Sequence, residues 1–140
     1  MTNQVTSIEQ SKRLLELGVP AEKASMAWVP DYKFDGQTRR FVPTGAFDLC
    51  IKHRVYNVIG EKIIPAFTVA DLLEMLPAGI TYGRLHITRS SYSKGEDWRV
   101  FYKRVGVSKG SIISFGDRTL IVPACNMIEW VVSNGYKLNV

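Results

Sequence analysis

A chain of 140 residues, 46% hydrophobic and 22% charged, is long enough for one domain with a substantial core, and its composition excludes a disordered or disulfide-dependent chain. Its net charge of +5 is unevenly placed: Arg84 to Lys109 hold seven Lys/Arg against Glu96 and Asp97, while the remainder has eleven of each sign and is neutral. No apolar run approaches bilayer length, and MTNQVTSIEQ lacks a signal peptide's basic-then-apolar layout, so a soluble cytoplasmic protein without a membrane partner is expected.

In chain order, Thr6-Ser7-Ile8-Glu9 is an S/T-x-x-E capping box, with Thr6 as the cap of a first helix. Gly18 suits the left-handed position that ends it, and Pro20 suits the first turn of a second helix running to about Ala27. The two would form an N-terminal helical hairpin. It is not a DNA-reading helix-turn-helix, because the second helix has about two turns before Trp28-Val29-Pro30 and the charges of the pair nearly cancel. Asp35-Gly36, between Tyr32–Phe34 and Thr38–Val42, signals a β-hairpin, and Phe47 to Ile59 has strand composition. Gly60-Glu61 then turns the chain towards Ile63-Ile64.

The clearest helix follows over 68–76. Thr68 caps it, Asp71 stands three residues on, Phe67 can staple against Leu72, and Pro77 ends it. Val69, Leu72, Leu73 and Leu76 have the spacing of a core-facing stripe. From Tyr82 the period becomes two, giving one hairpin from 82 to 104 and a second, Ser111–Phe115 and Arg118–Val122, turning on Gly116-Asp117. A final helix spans about Pro123 to Ser133, with Ala124, Met127, Ile128 and Val131 inward and Asn134-Gly135 as its cap. The whole reads as a single α+β domain over residues 1–140, an antiparallel sheet with helices mainly on one face. The other face is left for solvent or a partner.

The chemistry is narrower. His53 and His86 are the only histidines, neither has a Cys or carboxylate at a ligand spacing, and no metal or cofactor is expected. Cys50 and Cys125 sit in apolar stretches, as buried free thiols do, and lack the surroundings of a reactive cysteine. Gly106 to Ser111 has neither the spacing nor the helix of a phosphate-binding loop. His53 with Arg54, and His86 with Arg84 and Arg89, are the residues with which a phosphodiester-cleaving enzyme would work if they converged.

The basic hairpin is the most informative feature. If Leu85, Ile87, Trp98, Val100 and Tyr102 face the helices, Arg84, His86, Thr88, Arg99, Phe101 and Lys103 share the opposite face. Cations with interleaved aromatics are what single-stranded nucleic acid asks of a sheet. The candidate set is Arg84, His86, Arg89, Arg99, Phe101 and Lys103. The competing reading is a solvated face whose Lys and Arg prevent strand-to-strand association. A protein partner or a second copy is the further class, anchored by Trp28, Tyr32, Phe34 or Trp130.

Three segments, SIEQSKRLLELGVPAEKASM, IPAFTVADLLEMLP and NMIEWVVSNGY, resemble in their order and distances small uncharacterised proteins of Bacteroides-type gut bacteria and their phages or mobile elements. The resemblance lies in the helices and brings no catalytic signature and no functional residues. It implies a cytoplasmic accessory protein of phage or mobile-element derivation. Together the readings point to a binding or accessory protein in preference to an enzyme.

Overall fold

Two overlapping capping frames open the chain, Thr6-x-x-Glu9 and Ser7-x-x-Gln10, and only one can be used. In the computed structural model, which describes residues 4–51, 63–90, 97–106 and 110–140, the second frame is chosen. Ser7 caps α1 (Ile8–Glu16), accepting from the Gln10 backbone N–H at 3.1 Å while the Gln10 side chain accepts from Ser7 N–H at 2.9 Å. Thr6 is fully buried and does other work. Its hydroxyl lies 2.7 Å from that of Ser11 and accepts from Phe67 N–H at 2.9 Å, and its carbonyl accepts from the Trp28 indole at 2.9 Å. The expected Thr6 cap is thus corrected: an interior junction claims its hydroxyl, and Ser7 is left to cap the helix.

The expected second helix is also corrected. Pro20 leads into a single 3-10 turn, Ala21–Lys23, and β1 (Met26–Asp35) begins three residues later, so no helical hairpin forms. Pairing decides the matter: Met26 to Trp28 are bonded on one side to β2 (Arg40–Ile51) and on the other to β3 (Ile64–Ala66). Two rows of ladder bonds outweigh the weak helical propensity of a Pro-led segment. The turn at Asp35-Gly36 is as expected, with the Asp35 carboxylate accepting from Gln37 N–H and the Thr38 hydroxyl. The proposed Phe47 to Ile59 strand is present as far as Ile51; its remainder and the Gly60-Glu61 turn lie outside the described residues.

β3 leads into α2 (Val69–Met75), where Thr68 and Asp71 make the expected capping box. Asp71 is buried and works twice, because its carboxylate also accepts from Ser25 N–H at 2.8 Å and the Ser25 hydroxyl at 2.5 Å, tying α2 to the entry of β1. Phe67 and Leu72 are fully buried in the same core. The C-terminal tail closes the far end of α2, with Asn139 donating to the carbonyls of Met75 and Leu76.

The second sheet contains β4 (Gly79–Ile80), β5 (Gly83–Arg89), β6 (Trp98–Arg104) and β7 (Ser111–Asp117), antiparallel in that order. Gly83 is closely covered in it: a Cβ there would stand 2.7 Å from Ile112 Cδ1, so the end of that side chain would have to shift. The expected hairpin turning on Gly116-Asp117 does not form. Asp117 pairs with Trp98 as a strand residue, its carboxylate accepts from Thr119, and the chain goes straight into α3 (Ile121–Ser133). The fourth strand is β4, at the opposite edge from the one expected. Ala124, Met127, Ile128 and Val131 of α3 are fully buried, as its spacing predicted, and Gly135 at φ +79° takes the left-handed position beyond it. One core joins these helices to Val100 and Tyr102 of β6. The architecture is the expected α+β one, an antiparallel β-structure with helices against one face of the four-stranded sheet.

Candidate nucleic-acid interface

Strand parity makes this site. Along β6, Val100 and Tyr102 point to the helices and are fully buried, and the Tyr102 hydroxyl donates to the Pro77 carbonyl at 2.7 Å. Burial pushes the Tyr102 phenol up to about 12. Arg99, Phe101 and Lys103, the alternate residues, must therefore point away.

The antiparallel register with β5 places Arg84 opposite Lys103, His86 opposite Phe101, and Thr88 opposite Arg99. All six are therefore on one face. His86 and Phe101 stack, with ring centroids 5.3 Å apart and planes 14° from parallel. β7 adds Ser114 opposite Phe101 and Gly116 opposite Arg99, and the Arg99 guanidinium donates to Ser114 Oγ at 3.0 Å. No carboxylate occupies an outward position on β5, β6 or β7. The result is a pair of stacked rings flanked along the strands by cations.

Arg84 and Lys103 are direct cross-strand neighbours of like charge, an arrangement that weakens a sheet by up to about 1 kcal/mol. Fold stability gives no reason for it. A phosphate placed between the two cations would turn that repulsion into attraction.

Five of the six sequence-derived residues come together in this way: Arg84, His86, Arg99, Phe101 and Lys103. Arg89 does not. It pairs with Trp98 on the helix-facing side, its guanidinium 5.3 Å from the centre of the Trp98 ring. The alternation from Arg84 already contained this result, because 89 has the opposite parity to 84, 86 and 88. Ile87, expected beneath the helices, has the right parity but lies beyond their cover and is 39% exposed. Sequence reasoning missed Ser114, although its place between Ile113 and Phe115 in the expected Ser111–Phe115 strand already gave it the outward parity.

His53 and Arg54 lie outside the described residues, and His86 faces Phe101. Among the described residues no three of His, Cys, Asp and Glu cluster as metal ligands would, and no helix is long and apolar enough to cross a membrane. Both cysteines are free; burial pushes the Cys125 thiol up to about 12, a value that leaves almost no thiolate at neutral pH.

The aromatic anchors considered for a protein partner have mixed fates. Trp28 is half-buried and donates to the Thr6 carbonyl, and Trp130 stacks on Tyr136 against the core with centroids 5.7 Å apart. Phe34 is 58% exposed and meets Phe41, 72% exposed, edge to face near the tip of the β1–β2 hairpin. No protein-family model, curated protein or solved structure matches this chain.

Proposed function

We propose that the chain is a cytoplasmic, non-enzymatic binding protein that takes single-stranded nucleic acid on the outward face of β5, β6 and β7. The observation that carries this reading is the Arg84–Lys103 like-charge pair beside the stacked His86 and Phe101, on a face without carboxylates. Arg84, Arg99 and Lys103 contact phosphates, and Phe101 with His86 offers a base a stacking surface. A groove-reading mode for duplex DNA has no support here, because among the described residues no basic helix projects from the fold. The role fits the accessory protein of phage or mobile-element derivation that the helical segments imply.

Fluorescence anisotropy with labelled single-stranded RNA, single-stranded DNA and duplex DNA across a salt series tests the proposal. Three phosphate contacts predict a slope of log K against log salt of about −2 for a single strand. An Arg99→Ala, Lys103→Ala variant should flatten it by more than half. Absence of binding at the lowest salt would refute the reading, since the electrostatic contribution is greatest there.

A further inference from the structure

The two-residue turn joining β4 to β5 is made by Thr81 and Tyr82, inside the Ile80–Gly83 pair. Tyr82 has a φ of +61°, in the left-handed region. A bulky side chain is rarely found there, because its Cβ crowds the backbone, and glycine or asparagine is the usual occupant of such a turn position. Besides glycines, the described residues hold one other positive φ, at Arg39 in the β1–β2 turn of the other sheet. The Tyr82 ring gains no packing in exchange: it is 82% exposed, more than any other large hydrophobic side chain among the described residues. Stability therefore gives no reason for a tyrosine here, and strain of this kind gathers where function uses it.

Position decides the use. The Tyr82 carbonyl accepts from Val105 N–H at 2.9 Å, so the β5–β6 pairing continues one step beyond Gly83 and Arg104. Gly83 faces the core, where a Cβ would meet Ile112 and Tyr102, and Tyr82 stands on the next step. The even positions along β5 then read Tyr82, Arg84, His86: a ring, a cation opposite Lys103, and a ring stacked on Phe101. At about 3.3 Å per residue, Tyr82 stands about 13 Å from His86 along the strand. About five nucleotides cover that distance even at the rise of about 3.4 Å of a stacked strand.

We propose that Tyr82 is a second base-stacking platform, so that the ligand of this face is an oligonucleotide whose phosphates pass over Arg84 and Lys103 between two stacked bases. The inference rests on the single-strand reading of β5, β6 and β7, and adds to it a path along β5 and a minimum length. A mononucleotide would engage one platform only.

The test is anisotropy at low salt with a labelled eight-nucleotide single strand and with an abasic strand of the same length, which keeps the phosphates and lacks the bases. Tyr82→Gly should weaken the eight-nucleotide strand on the order of tenfold, with its salt slope unchanged and the abasic strand unaffected. Tyr82→Phe should bind as the parent does, because a ring is kept. Tyr82→Gly should also melt no lower than the parent, since glycine takes a positive φ without strain. Equal affinity of Tyr82→Gly and the parent for the eight-nucleotide strand, or an equal loss on the abasic strand, would overturn the proposal. If the parent binds and the Arg99→Ala, Lys103→Ala variant flattens its slope while Tyr82→Gly changes nothing, the second platform alone is refuted. If the parent binds neither strand, the single-strand reading falls and the platform with it.

Discussion

Val100 and Phe101 are consecutive residues with opposite obligations. Val100 is fully buried against the helices in the main core, whereas Phe101 stacks on His86 across a face bearing Arg84, Arg99 and Lys103. Where the helices cover it, the inner face of the sheet is accounted for by stability: apolar side chains and one tyrosine hydroxyl with its acceptor. The outer face is not. It opposes Arg84 to Lys103, like charges whose pairing costs stability, beside the half-buried Phe101 ring and the exposed His86. What folding does not require of a sheet face is where function is most readily sought.

Substitutions can sharpen that contrast, beginning with the largest effect. Val100→Asp should abolish cooperative thermal unfolding, because an unpaired carboxylate buried in this core costs more than about 4 kcal/mol. Phe101→Asp, one residue along, should cost only about 1 kcal/mol while lowering oligonucleotide affinity by more than tenfold. The two variants compared by melting and by anisotropy would erase the distinction if both unfolded or both bound.

Thr6→Val tests the buried junction at the N-terminus. It deprives Phe67 N–H of its acceptor and Ser11 of its partner, and should cost about 2 kcal/mol in chemical denaturation without altering affinity. Tyr102→Phe should cost about 1 kcal/mol at neutral pH. It should also change the alkaline limb. Tyr102 at about 12 against an ordinary 10, and Cys125 at about 12 against 9, both hold their protons more tightly when folded. Their contribution is therefore complete below about pH 9 and is lost as pH rises to about 12. Melting temperature should fall through that window, and less steeply in Tyr102→Phe.

The smallest expected effect is the most diagnostic. Lys103→Gln removes the like-charge pair, so stability should stay level or rise by about 0.2–1 kcal/mol. Affinity should nevertheless fall, with the salt slope shallower by about 0.7. Stability and binding moving in opposite directions is not expected of an ordinary solvated lysine.

Local signals in the sequence were the ones that survived. Thr68 with Asp71, the Asp35-Gly36 turn, the Asn134-Gly135 cap and the inward stripe of α3 all depend on neighbours a few residues away, and all appear as read. The failures have long-range causes. Met26 to Trp28 became strand because β2 and β3 flank them, Thr6 was drawn inward by Phe67, and Gly116-Asp117 stayed extended because Asp117 has Trp98 to pair with. Strand β4 is two residues long and carries too little pattern to read. The outward face was legible because alternation is a local property, and Arg89 was assigned to it by overlooking that same rule.

The most direct test of the account is an amide chemical-shift titration with an eight-nucleotide single strand at low salt. The account predicts shifts concentrated at Arg84, His86, Arg99, Phe101, Lys103 and Ser114, with the amides of α2 and α3 unmoved. Shifts gathered on α2 and α3, or spread evenly over every exposed lysine and arginine, would contradict it.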